Sequence, residues 1–349
     1  MQNNMPVVWW LRVVALFVLA TLVLGGATRI TDSGLSITEW APILGVIPPM
    51  TDAAWERALE MYRQIPEYQL INRGMSMGEF QFIYWWEWSH RFVARSIGLV
   101  FAVPLVFFWV RGRLPDWFKP WGITLLALGG LQGAVGWWMV ASGLVDRVDV
   151  SQYRLATHLT LACIILMVTV WLSVRLAGRA GSVAAPGAVR LGAVLIPFAI
   201  LFQIALGALV AGLDAGHASD TWPLMQGLLV PEGMWTLEPG WINAFENHLT
   251  VQFNHRVFAY LVTILVVWHA VLAVRSGRGA GLAVTLLALV FAQVAVGIGV
   301  IVWRVPPHLA AFHQFVAAVL LWVSVVHATH LARPRGAAAE TSGLSAAAV

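Results

Sequence analysis

Four histidines open apolar segments of this chain: His90, His158, His255 and His313. The first and third lie in matching triplets, Ser89-His90-Arg91 and Asn254-His255-Arg256. The other two lie in Ala156-Thr157-His158 and Ala311-Phe312-His313. An imidazole inside a bilayer helix is costly and normally faces the protein interior. Paired imidazoles on facing helices can act as axial ligands of an iron porphyrin. Four of them, spread over two similar halves, predict two bis-histidine metal or haem sites. A lone intramembrane histidine is more often a packing residue that has found a hydrogen-bond partner. Duplication at both positions weighs against that reading here. The other six histidines keep it: His217 in a loop, His248 and His308 at interfaces, and His269, His327 and His330 toward the far ends of their helices.

A carboxylate accompanies only one pair. Glu87 precedes His90 by three residues, one helical turn, whereas the same position before His255 is Gln252. Beside a desolvated site a carboxylate accepts protons or stabilises positive charge, and an amide does neither. The competing reading is an interfacial glutamate in an aromatic belt formed by Trp85, Trp86 and Trp88. Arg91 and Arg256 each follow a candidate ligand. They suit either the carboxylates of a bound porphyrin or the lipid headgroups.

These residues need helices to carry them. Hydrophobic residues make up 59% of the chain and charged ones 11%, against roughly a quarter charged in a soluble domain. Eight apolar runs, at about 8–27, 90–110, 121–141, 155–175, 191–212, 255–274, 281–302 and 309–331, are long enough to cross a hydrocarbon core ~30 Å thick. Barrel-type alternation is absent, so the expected class is an all-α polytopic membrane protein. Arg12, Arg111, Arg113, Lys119, Arg175, Arg179, Arg190, Arg275, Arg278, Arg333 and Arg335 fall on one side, while 213–250 holds five acidic residues and no Lys or Arg. The positive-inside rule then puts both termini in the cytoplasm and loops 28–85 and 213–250 outside. The basic charge balance follows from that topology and implies no nucleic-acid partner. The start lacks a basic leader region, so the first run is expected to remain as a span, in a bacterial inner membrane. Cys163 is the only cysteine, which excludes an intrachain disulfide and any CxxC site.

The chain repeats itself. Gly25, Asp32, Gly34, Trp40, Gly45 and Pro49 recur as Gly207, Asp214, Gly216, Trp222, Gly227 and Pro231, all at one offset (207 − 25 and 231 − 49 are both 182). Gln132-x-Ala134-Val135-Gly136 likewise matches Gln293-x-Ala295-Val296-Gly297. Two parallel four-helix units follow, since an even number of spans preserves orientation. One unit is 1–180 and the other 181–335, with a disordered Ala/Ser/Gly-rich tail at 336–349. Each unit offers one histidine from its second helix and one from its fourth. All four lie in the outer half of the bilayer, which leaves no ladder of sites across it.

The run Gly25-Gly26-Ala27-Thr28-Arg29-Ile30-Thr31-Asp32-Ser33-Gly34-Leu35-Ser36, then Glu39-Trp40, Pro42 and Glu87-Trp88-Ser89-His90-Arg91, resembles the haem A synthase family. The resemblance covers about 8–331. It implies an oxidoreductase acting on a CH group, which converts a ring methyl group of haem O to the formyl group of haem A with water as the oxygen source. It also implies that His255 and His313 ligate a haem b cofactor, that His90 and His158 hold the substrate haem, and that Glu87 is the catalytic carboxylate. Expected partners are haem O, the membrane, a haem O synthase and further copies of the chain. Many bacterial members carry a cysteine pair in the first outer loop. Residues 28–85 have none, so the chain is similar to the cysteine-free members of Gram-negative bacteria and mitochondria. Two other functions fit four histidines: a dihaem b-type, quinol-oxidising electron-transfer subunit, and a haem or small-molecule transporter. The first leaves Glu87 unexplained, and the second would leave haem O chemically unchanged. The sequence does not name the electron acceptor.

Overall fold

The computed structural model describes residues 4–332. The expected disordered tail lies outside them. Among the described residues there is no strand, and eight helices are long and apolar enough to cross a membrane. They are α1 (Met5–Ile30), α4 (Met77–Val110), α5 (Lys119–Val140), α6 (Gln152–Leu176), α7 (Gly187–Gly212), α9 (His248–Ser276), α10 (Ala280–Val302) and α11 (Pro307–Leu331). Three shorter helices lie in the long loops: α2 (Asp52–Arg63), α3 (Pro66–Leu70) and α8 (Asn243–Glu246).

The second span starts 13 residues before the apolar run at 90. Ser76 and Glu79 form a reciprocal capping box there, with the Ser76 N–H donating to Glu79 Oε2 at 2.8 Å. That box satisfies first-turn donors which would otherwise lack partners. The extra turns carry Phe80, Ile83 and Tyr84 against Leu59 and Tyr62 of α2, a second small core above the spans. In the other half, Asn247 caps α9 by accepting from the N–H groups of Leu249 and Thr250.

α1, α6, α7 and α11 pack on one another at the centre, and α4, α5, α9 and α10 flank them. In the first half α1 meets α4 and α6; in the second, α7 meets α9 and α11. One apolar core runs across both halves, from Val7 and Leu11 on α1 to Leu286 on α10 and Leu321 on α11. The halves are therefore closely joined, more so than separate pockets require. They differ in one packing detail. α9 and α10 turn tightly through Gly277 and Gly279, both with positive φ, and then pack along their length. α4 and α5 are joined by the longer segment 111–118 and touch sparsely.

Candidate functional site

Each of the four histidines is seated on a glycine of a neighbouring helix. A Cβ added at Gly25 would lie 2.8 Å from His90 Cε1, and one at Gly136 would lie 2.8 Å from His158 Cε1. The distances are 3.1 Å from Gly207 to His255 Cε1 and 2.8 Å from Gly297 to His313 Cε1. In every case Cε1 is nearest, Nδ1 next and Nε2 farthest. The four rings thus sit in one orientation, each in space that any side chain would fill. Gly25 and Gly207 are mates at the 182-residue offset, and Gly136 and Gly297 belong to the repeated Gln-x-Ala-Val-Gly motif.

The His255 and His313 rings are 6.5 Å apart, centre to centre, and inclined at 67°. A metal–imidazole bond is about 2 Å, and ~1.1 Å more separates nitrogen from ring centre, so two axial imidazoles on one ion lie ~6 Å apart. The spacing fits a shared iron. Nδ1 of His313 is buried without a partner, as is Nδ1 of His90. His158 lies within electrostatic reach of His90.

Glutamines line three of the four rings, a feature the sequence offered without its meaning. Gln132 donates to the His158 carbonyl at 3.1 Å, with its amide nitrogen 3.2 Å from Nδ1 of the ring. Gln203 repeats this at His255, at 2.9 and 3.0 Å. The Gln293 amide nitrogen is 3.2 Å from His313 Nε2. The mate of Gln203 at offset 182 is Thr21, beside His90, so that ring lacks the amide.

Above the rings, the two halves use the same frame with opposite polarity. Arg91 donates to the carbonyls of Ile37 (2.8 Å) and Glu39 (3.1 Å). Arg256 donates to their mates Ser219 (2.9 Å) and Thr221 (2.8 Å). Both arginines hold loop backbone, which neither sequence-based reading of them foresaw. Glu87 is buried and accepts three bonds: from Ser36 Oγ (2.7 Å), from the Ile37 N–H (2.7 Å) and from Arg91 (2.6 Å). Gln252, also buried, donates to the carbonyls of Gly216 and Ser219, both at 3.0 Å, and accepts from Arg256 at 3.4 Å. Arg29 adds a link across the halves, meeting Asp32 at 3.0 Å and Asp214 at 2.8 Å. These aspartates are repeat mates and both have positive φ.

His269 and His327, 14 residues beyond His255 and His313, do come together. One Nε2 donates to the other at 2.7 Å, in a fully buried contact between α9 and α11. Two nitrogens bound to one tetrahedral metal ion lie ~3.3 Å apart, so this is a direct interhelical hydrogen bond and the packing reading stands. Among the described residues, no cluster of three or more His, Cys, Asp or Glu side chains could hold a metal ion.

Residues 8–325 match the COX15-CtaA family, described as cytochrome oxidase assembly protein. The chain belongs to this family. It is 53% identical over 329 residues to the heme A synthase of Chelativorans sp. (strain BNC1), covering 93% of this chain and 91% of that relative. It is 48% identical to the heme A synthase of Sinorhizobium medicae (strain WSM419), covering 93% and 90%. It is also 48% identical to that of Parvibaculum lavamentivorans (strain DS-1), covering 95% and 96%. Family membership thus spans both histidine pairs, both long loops and all eight apolar helices.

Proposed function

We propose that this chain is a haem A synthase, oxidising a ring methyl group of haem O to the formyl group of haem A. Residues 1–180 form the substrate half and 181–335 the cofactor half. His255 and His313 hold haem b, a reading supported by their 6.5 Å spacing. Haem b, when bound, supplies one-electron redox chemistry. The reaction removes four electrons and takes its oxygen from water. His90 and His158 hold the substrate haem, and Gly25 and Gly136 fix the orientation of their rings.

Glu87 is the catalytic carboxylate. Its partners Ser36, Ile37 and Arg91 are all donors, so they hold it as an acceptor one turn above His90. Protons released as the methyl group is oxidised need such an acceptor. The observation that carries the assignment is the exchange of Glu87 for Gln252 within an otherwise duplicated frame. An electron-transfer subunit gives no reason for that exchange. The protein is read as a multi-pass component of a bacterial inner membrane, with both termini cytoplasmic, since Arg12, Arg111, Arg175 and Arg275 share one face. A haem O synthase and further copies of the chain are its expected protein partners. Expression in cells that make haem O, followed by haem extraction and mass measurement, tests the activity. Haem A is the expected product, and unchanged haem O would exclude a synthase.

A further inference from the structure

α4 and α5 touch sparsely, and residues 36–50 form a strap that meets both. At one end the Trp40 ring lies 5.3 Å from Trp137 of α5. At the other, two arginines of α4 hold the strap's carbonyls. Arg91 takes Ile37 and Glu39, while Arg95 takes Ala41 (3.1 Å), Pro42 (3.1 Å) and Gly45 (3.2 Å). A Cβ at Gly45 would meet Arg95 Nη2 at 2.8 Å, so glycine permits that approach. Beyond Arg95 the strap ends in an apolar tip, with Ile43, Leu44 and Ile47 exposed by 81%, 79% and 69%.

Depth along α4 says what surrounds the tip. Arg111 and Arg113 follow Val110 and mark one edge of the apolar belt. Counting back ~20 residues, a 30 Å hydrocarbon core at 1.5 Å per residue, places the other edge near His90. The Arg95 backbone therefore lies more than a turn inside, and its side chain leans back toward the N-terminal end of α4, so the carbonyls it holds sit at the margin of the apolar belt. The tip continues the exposed face of α4 at Phe92, Leu99 and Val103. A polar backbone at such depth needs internal partners, and Arg95 supplies them.

The second half carries the same strap with a different anchor, since Trp222, the mate of Trp40, donates to Tyr260, the mate of Arg95, at 3.1 Å. Behind it α9 and α10 are packed together. A resident cofactor needs no repeated passage, whereas a substrate must enter and its product must leave at every turnover.

We propose that the strap 36–50 is a lipid-side door to the His90–His158 site. Its apolar tip rests among acyl chains, and it covers a lateral mouth between α4 and α5 through which a hydrocarbon-tailed porphyrin passes to and from the bilayer. This rests on the reading of the N-terminal half as the substrate half. Opening releases Arg95 from its three carbonyls while Arg91 keeps its bond to Glu87.

The test uses the full-length chain in lipid nanodiscs with Trp40→Cys and Trp137→Cys, joined by a short, reductively cleavable thiol cross-linker. Native Cys163 is buried and does not compete. Haem O is supplied from phosphatidylcholine vesicles, and its uptake is followed in the Soret band. Bridging is expected to slow uptake by about tenfold or more, with haem b content unchanged and uptake restored by reductant. Equal uptake before and after bridging overturns the door. If the unbridged variant and the parent chain both take up no haem O, the substrate-half reading fails instead. A nitroxide at Leu44→Cys then judges the seat of the tip independently. Collision with oxygen in preference to a water-soluble nickel chelate supports lipid burial. Access to the chelate, or shielding from both by another protein or a second copy, overturns it.

Discussion

Arg91 and Arg256 hold equivalent carbonyls in the two halves, yet the side chain four residues before each has opposite hydrogen bonds to its loop. Glu87 gathers donors from the first loop, whereas Gln252 gives its N–H groups to the second. The scaffold that seats two imidazoles on two glycines has thus been kept twice, while one side chain near each pair has diverged. Holding a porphyrin and transforming one make different demands. On the proposed function the first needs matched ligands and space, and paired imidazoles seated on glycines occur in both halves. The second needs a group able to accept a proton, which one half has.

The sharpest way to break that comparison is to remove ligands one at a time. His255→Ala and His313→Ala are expected to strip nearly all haem b, since on the proposed assignment each removes one of the two residues that would hold it. His90→Ala and His158→Ala should keep haem b and abolish haem A formation. Haem extraction and absorption spectra distinguish the outcomes, and four identical phenotypes would mean that the halves are not specialised.

A smaller effect is expected from the seats. Gly297→Ala and Gly136→Ala each put a Cβ 2.8 Å from an imidazole carbon. Overpacking of this kind costs about 1–3 kcal/mol. Gly297→Ala should weaken haem b retention on dilution in detergent. Gly136→Ala should leave haem b in place and lower haem A yield. Equal effects on haem b from both variants would contradict separate sites.

Much of this is legible in the sequence. Apolar runs, the 182-residue offset and the paired histidines survive in sequence because burial in lipid demands long uninterrupted apolarity and a duplicated frame preserves spacing. The early start of α4 was harder to read. Its first turns are amphipathic and cover α2, so hydropathy alone begins the helix at 90, although Ser76-x-x-Glu79 is a readable cap. Gln203 sits in a featureless apolar run, and only the fold brings it to His255. Arg91 looked like a partner for carboxylates or headgroups. Its binding to Ile37 and Glu39 depends on how a loop more than 50 residues upstream folds back. The hydrogen bond between His269 and His327 was equally hidden, because it depends on how α9 and α11 face each other.

The smallest expected effect concerns the first loop, which has no counterpart of α2 and α3 in the other half. Glu67 is buried there and accepts from Tyr62 at 3.1 Å. Burial pushes its carboxyl from an ordinary 4.5 up to about 8. The folded loop therefore keeps a proton that the unfolded chain has released. Its stabilising contribution is full below 4.5 and is lost as pH rises through about 8. Limited proteolysis of residues 52–72 should accelerate across that range, and Glu67→Gln should flatten the dependence. An unchanged pH profile in that variant would remove Glu67 as the cause.

The most direct measurement is the haem O to haem A ratio made by Glu87→Gln, the substitution that gives the first half the residue type of the second. Shape and some hydrogen bonding are retained while the proton acceptor is lost, and general-base assistance is typically worth about 10²–10⁴-fold in rate. Haem b content should stay at the parental level while haem A falls to a trace, with haem O or a hydroxylated product accumulating. Near-parental haem A from this variant would contradict the account and leave Glu87 as a clamp on the first loop.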